Sequence, residues 1–245
     1  MNDPAERSAP APRLIVIDGP AGAGKSTVAR SLAEHFGLPL LDTGAIYRTL
    51  ALIAQRRGID WGDERGLSTL ASDFPLSFHT EREAGGGLRQ RVHFAGEDVS
   101  VAIRTPAISE GASRVSQHPA VRDALLGIQR ALSAGGCVAE GRDMGTVVFP
   151  DAPHKFFLTA SLEARAQRRH AELTHLAGGL ALAEVLEEVE SRDRRDRSRA
   201  SAPLVQANDA VVLDSSHLDI AEVVRRIIAI IEGREGAPSA IGPRA

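Results

Sequence analysis

Gly19-Pro20-Ala21-Gly22-Ala23-Gly24-Lys25-Ser26 has the spacing G-x-x-x-x-G-K-S, and each part of it has a chemical use. Glycines let the backbone bend until several N–H groups point at one anion. A helix opening near Ser26 adds its positive N-terminal end. In such a loop the lysine reaches the β- and γ-phosphates of a nucleoside triphosphate, and the Ser or Thr hydroxyl binds Mg²⁺. Lys25 and Ser26 are the candidates for those parts. The setting supports the reading, because the apolar run Leu14-Ile15-Val16-Ile17 precedes the loop and a helical pattern follows it. No Asn-Lys-x-Asp guanine-reading segment is present, which disfavours a GTPase, and the chain is short for a motor. Phosphoryl transfer by a P-loop enzyme is the chemistry this segment points to.

Further polar residues gather in separate places. Asp42-Thr43-Gly44-Ala45-Ile46-Tyr47-Arg48 follows a short apolar run, so it belongs at the carboxyl end of a strand, where ligands of open α/β sheets bind. Thr43 could cap the next helix. Arg48 could clamp an anionic acceptor, or be a solvated helix charge. Glu140-Gly141-Arg142-Asp143-Met144-Gly145 follows another such run. Glu140 could hold Mg²⁺ through water or be structural. Arg142 and Asp143 offer a donor and an acceptor side by side, for a base edge or for a locally paired turn.

Ser191–Arg199 is the most charged stretch. As a helix it puts Arg192, Arg195, Asp196 and Arg199 on one face, with Asp193 and Arg197 paired on another. Three readings stand: a phosphate clamp, an Arg/Ser-type RNA-binding segment, and a salt-bridged exposed helix. The phosphate loop favours the clamp, where one arginine can be worth ~10³–10⁵ in rate. The two aspartates count against RNA. Arg165, Arg168 and Arg169 lie on the helix before Gly178-Gly179, so arginines occupy both arms of a helix–loop–helix that could close over phosphates.

These residues need elements to carry them. Strands are expected at Leu14–Ile17, Leu38–Asp42, Cys137–Glu140, Lys155–Thr159 and Ala210–Asp214. Helices are expected at Ser26–Phe36, Ala45–Arg57, Pro106–Ser133, Leu162–Leu173, Leu182–Arg199 and Ile220–Glu232. Leu76–His79 and Arg91–Phe94 alternate around Gly85-Gly86-Gly87, which reads as an antiparallel hairpin. The expected fold is α/β: a mostly parallel sheet covered by helices on both faces. It carries an inserted small antiparallel β subdomain near 72–104 and a helical lid near 165–199. The domain runs over 13–232, between a disordered leader at 1–12 and a disordered tail at 233–245.

Bulk properties narrow the classes. Across 245 residues the chain is 43% hydrophobic and 25% charged, an ordinary globular composition. The net charge of −3 gives no global field for nucleic acid or anionic membrane. Aromatics at 4% argue against a single-strand nucleic-acid platform, which stacks bases on rings. Cys137 is the only cysteine, which excludes an intrachain disulfide and multi-cysteine zinc sites, and fits a reducing compartment. No apolar run approaches ~18 residues, so no membrane-spanning helix is expected. Residues 1–12 contain no apolar stretch of the secretory kind, and a cytoplasmic location is expected.

Gly19–Thr27, Asp42–Arg48, Glu140–Ala152 and Arg195–Arg199, in this order, resemble the bacterial cytidylate kinase family of P-loop nucleoside monophosphate kinases. The resemblance covers about Leu14 to Glu232. It implies transfer from ATP to CMP or dCMP, with Mg²⁺, a nucleoside monophosphate kinase fold and an inserted CMP-binding subdomain. Gly19, Pro20, Ala21, Gly22, Ala23, Gly24, Lys25, Ser26 and Thr27 then hold ATP. Thr43, Tyr47 and Arg48 line the CMP pocket, and Ser113, Arg122 and Asp143 contact cytosine. Arg142 approaches the CMP phosphate, Arg192 and Asp196 the sugar, and Arg199 the reacting phosphates. Arg168 sits where the lid meets ATP. Lys25, Arg142, Arg168 and Arg199 form the implied catalytic set, with Ser26 and Glu140 for the metal. Thr43 stands where Ser is familiar, and both keep a hydroxyl. A monomer is expected, with small nucleotides as partners, and no nucleic acid or membrane. Another small-molecule kinase and a nucleotide-gated RNA-binding protein are the rival readings.

Overall fold

The computed structural model describes residues 14–82, 87–177 and 181–233. In chain order the first half contains β1 (Leu14–Asp18), α1 (Lys25–Phe36), β2 (Leu40–Asp42), α2 (Thr43–Arg56), α3 (Glu64–Ser72), β3 (Leu76–Arg82), β4 (Leu88–Phe94) and β5 (Glu97–Asp98). The second half contains α4 (Pro106–Val115), α5 (Pro119–Leu132), β6 (Cys137–Gly141), β7 (His154–Thr159), α6 (Leu162–Ala177), α7 (Leu182–Arg197), β8 (Val211–Asp214) and α8 (Ile220–Ile231). A π-helical turn at Met144–Val148 lies between β6 and β7.

The main sheet is parallel, with strand order β2-β6-β1-β7-β8. Its middle strand explains the sequence pattern. Ile15 and Ile17 pack with Val28, Leu32, Phe156, Val223 and Ile227 under α1 and α8. Val16 packs with Leu41, Ile46, Leu50, Leu125 and Met144 on the other face. Side chains alternate across a strand, so a strand covered on both faces must be apolar throughout. Each fully buried Ile or Leu is worth about 1.5–3 kcal/mol. The crossover from β1 runs one way to β2, while the chain from β6 runs the other way to β7 and β8. The strand order therefore reverses beside β1, which makes a crevice at the carboxyl ends of β1 and β6.

A second sheet, β3-β4-β5, is antiparallel and occupies Leu76–Asp98. It falls within the stretch where alternation signalled a hairpin. Of the expected Gly85-Gly86-Gly87 tip, 85 and 86 lie outside the described residues, as does the expected Gly178-Gly179 loop. The expected leader at 1–12 and the tail beyond Gly233 also lie outside them. Helices α6 and α7 share a small apolar cluster of their own, Leu173, Val185 and Val189 with Leu162.

Several expectations need correction. The helical stretch expected over Pro106–Ser133 is divided into two helices, α4 and α5. His118 is extended (φ −78°, ψ 118°) before Pro119, because a residue preceding proline is driven out of the helical region. Pro119 then suits the first turn of α5. Helix α3 was not anticipated; Asp63 caps it by accepting from the Gly66 N–H. Thr43 does not cap α2. Asp42 does, accepting from the Ala45 N–H at 2.9 Å. Helix α7 ends at Arg197, so Arg199 is beyond it. Asp193 pairs with Arg165 at 2.7 Å, not with Arg197.

Candidate active site

The phosphate loop connects β1 to α1 and is shaped by close backbone approach. A Cβ on Gly19 (φ 148°) would lie 1.9 Å from the Leu158 carbonyl oxygen, and one on Gly22 (φ 75°) would lie 2.8 Å from that of Arg165. Glycine is the residue that fits both places. Ala23, within the loop, is fully buried. Lys25 donates to the Pro20 carbonyl at 2.7 Å. Burial, followed by the nearby Arg142 guanidinium, pushes the Lys25 ammonium down to about 7. A bound anion would restore its charge.

Beside the loop, Glu140 is buried near the end of β6 and pairs in register with Ile17 and Asp42. Burial and then the neighbouring Asp42 raise its carboxyl, while Lys25 and a hydrogen bond from Ser26 oppose the rise. Its Oε1 atom is buried without a hydrogen-bond partner. An orphaned hard oxygen beside the Ser26 hydroxyl is the donor chemistry that suits Mg²⁺. Among the described residues no group of three His, Cys, Asp or Glu side chains is arranged for a metal ion.

A crevice of about 200 Å³ runs from this loop to the far side of the sheet end. Ala21, Gly22, Gly24, Lys25, Ser26 and Thr27 line one part of it. Thr43, Tyr47, Arg48, Ser113, Arg122, Glu140, Arg142, Asp143, Arg192, Asp196 and Arg199 line the rest. The fold thus brings most of the anticipated residues into one space. Gly19, Pro20, Ala23 and Arg168 do not line it. Arg168 donates to the Ser215 hydroxyl at 3.0 Å and to the Ser215 carbonyl, and Ser215 in turn donates to the Ala23 carbonyl at 3.3 Å. Its neighbour Arg169 is the arginine of α6 that lines the crevice. Arg165 is buried and donates to the Ala21 carbonyl at 3.1 Å, so it braces the loop from behind.

Across the crevice from the loop, charges are paired with one another. Arg48 meets Asp42 at 2.7 Å. The Thr43 hydroxyl donates to the Glu140 carbonyl at 2.6 Å, tying α2 to β6. Arg122 bonds to Asp143, and both are buried. Its guanidinium also lies 5.4 Å from the centre of the Tyr47 ring, within cation–π reach. Arg142 donates to Asp196 at 2.8 Å, and Arg199 bonds to the same carboxylate. Against the upward push of burial, Arg142, Arg199 and Arg192 hold the Asp196 carboxyl down at about 2. Burial and Arg142 bring Arg192 down to about 10. The Ser113 hydroxyl is buried without a hydrogen-bond partner.

A model of the family described as cytidylate kinase matches residues 15–233. The chain is 50% identical to the cytidylate kinase of Pseudomonas syringae pv. tomato over 91% of its own length and 96% of that protein's. It is 48% identical to the cytidylate kinase of Stutzerimonas stutzeri, with the same coverage of both. The chain belongs to the cytidylate kinase family. Among solved structures, shikimate kinase from Acinetobacter baumannii is a distant likeness, with 15% identity and a TM-score of 0.42 over 92% of this chain and 96% of that one. As a member of the cytidylate kinase family the protein is a nucleotide-binding phosphotransferase of the nucleoside monophosphate kinase kind. No described helix is long and apolar enough to cross a membrane.

Several residues of the site escaped the sequence reading. Asp18 ends β1 with a carboxylate, the same signal that drew attention to Glu140. Burial raises the Asp18 carboxyl to about 6, against bonds from the Gly145 and Met144 N–H groups. Ser116 lines the crevice and accepts from Arg199 at 2.9 Å. Asp42 lines it too, beside the motif residues already singled out.

Proposed function

We propose that this member of the cytidylate kinase family transfers the γ-phosphate of ATP to CMP or dCMP, giving ADP and CDP or dCDP. The observation that carries the reading is the single crevice that joins the phosphate loop to the buried Arg122–Asp143 pair. One end suits a triphosphate. The other offers a fixed donor and acceptor, with the unpartnered Ser113 hydroxyl nearby, for the edge of a cytosine.

Gly19–Thr27 bind the ATP phosphates through backbone N–H groups and Lys25. Ser26 and Glu140 would hold Mg²⁺, which when bound draws charge from the phosphate oxygens. Thr43, Tyr47, Arg48 and Arg142 form the acceptor's phosphate pocket, and Arg192 and Asp196 take the sugar. The CMP phosphate is already ionised near pH 7, so attack on the γ-phosphorus needs no general base. The residues align the two phosphates in line and cancel charge as it spreads over the transferring group. Lys25, Arg142 and Arg199 do the latter. Arg168 serves the ATP side through Ser215. The α6–α7 hairpin over 165–199 acts as the lid, and the antiparallel unit within 72–104 as the acceptor-binding subdomain. We place the enzyme in the cytoplasm as a monomer.

ADP release from ATP·Mg²⁺ with CMP, dCMP, UMP, AMP and GMP tests this. Strong turnover with CMP and dCMP and little with the purines is expected. Turnover with another acceptor would keep the kinase and move its substrate. No turnover with any, together with salt-dependent RNA binding, would transfer the case to the arginine-rich segment as an RNA contact.

A further inference from the structure

Asp18 precedes the phosphate loop in the chain, yet its carboxylate works elsewhere. Its Oδ1 accepts from the Met144 N–H at 2.8 Å and its Oδ2 from the Gly145 N–H at 2.7 Å. Asp18 is 4% exposed. These two N–H groups open the π-helical turn Met144–Val148, where no intrahelical partner is available to them. A carboxylate is suited to accept both, and bonds to an ionised acceptor are the stronger kind.

The register of the sheet gives this contact its consequence. Asp18 lies beside Gly141, where the chain leaves β6. Arg142 and Asp143 are the two residues between that anchored point and the anchored Met144. Both reach into the crevice, Arg142 toward Asp196 and Asp143 toward Arg122.

We propose that Asp18 is a positioning residue for the acceptor: by capping Met144 and Gly145 it fixes where Arg142 and Asp143 stand, and so ties acceptor recognition to the strand that carries the phosphate loop. This rests on the reading of Arg142 and Asp143 as acceptor contacts. An asparagine in its place accepts one N–H and turns its own donors toward the other. The short segment then loses one of its two fixed ends.

The test uses the full chain as wild type, Asp18→Asn and Asp18→Ala. KM for CMP and for ATP is measured at saturation of the other substrate, together with thermal unfolding and amide exchange at Met144 and Gly145. Asp18→Asn should raise KM for CMP about tenfold or more, since small misplacements are costly, and leave KM for ATP within about twofold. Exchange at the two amides should be slow in the wild type and faster in the variant. Equal rises in both KM values, or a lower kcat with both KM values unchanged, would overturn the proposal, because a purely structural role produces those patterns. Fast exchange at both amides in the wild type would overturn it even if neither variant folds. Turnover of a different monophosphate by the wild type would sink the cytidine reading alone; the same KM split on that acceptor then decides this proposal.

Discussion

The two ends of the crevice are built on different principles. The phosphate-loop end is lined from within one contiguous segment, Gly19–Thr27, and on the proposed reading its working groups are mostly backbone N–H donors. Little has to be paired there: Lys25 leans on the Pro20 carbonyl, and the glycines exist to allow close approach. The acceptor end is assembled from side chains on α2, α4, α5, α7 and the segment after β6. Its charges are already joined, as Arg48–Asp42, Arg122–Asp143 and Arg142–Asp196–Arg199. On the proposed reading a triphosphate would meet a ready cradle, whereas a monophosphate would exchange partners with these ion pairs. Damage to the first end should appear in turnover. Damage to the second should appear in both acceptor affinity and stability.

The sharpest separation is expected from Lys25→Ala. Losing one preorganised charge contact to a reacting phosphate should lower kcat by about 10²–10³. Thermal unfolding should hold at or above the wild-type midpoint, because burial already disfavours the Lys25 charge. A variant with near-normal turnover, or one that has lost its fold, would break the comparison at its first half.

Asp196→Asn should do the reverse. It takes from Arg142 and Arg199 the carboxylate they share, and removing one partner of a buried pair costs about 3 kcal/mol or more. Denaturant unfolding should show that loss, and KM for CMP should rise more than kcat falls. Unchanged stability would mean that the network contributes less than its burial suggests.

Titration sharpens the contrast further. The folded-state carboxyl of Asp18 is raised to about 6 from 3.8. Its favourable contribution is complete below pH ~3.8 and is lost as pH rises through about 6, roughly 2 kcal/mol between pH 4 and 7. Asp196, held at about 2, contributes stability above its unfolded value of 3.8 and loses it as pH falls through about 2. Unfolding free energies measured from pH 3 to 7 should lose the first slope in Asp18→Asn. A slope that persists there belongs to another group.

The smallest effect is expected outside the crevice floor. Arg195 of α7 meets Glu110 of α4 at 2.6 Å, a partly exposed pair. Glu110→Gln should cost under about 1 kcal/mol. A loss as large as that of Asp196→Asn would mean that the α7–α4 contact belongs to the same network as the buried pairs.

How much of this was readable beforehand depends on how locally it is encoded. The shape of the phosphate loop was legible because backbone shape follows from nearby glycines. Strand β1 was legible because burial on both faces demands an unbroken apolar run. The split between α4 and α5 was also written locally, in Pro119, and was passed over for the apolar periodicity on both sides. Arg168 and Arg169 are adjacent, and nothing in their spacing says that the second lines the crevice while the first turns to Ser215.

By itself the sequence determined the parallel α/β architecture, the phosphate loop and the inventory of arginines and carboxylates around it. The tertiary structure alone decided their partners: Asp18 with Met144 and Gly145, Thr43 with the Glu140 carbonyl, Asp193 with Arg165. The physical reason is range. Periodicity and turn chemistry act over a few residues, whereas these contacts close only when β2, β6 and β1 lie side by side and α6 packs against α7. Burial then raises the value of each pairing, because a polar group withdrawn from water is costly to leave without a partner.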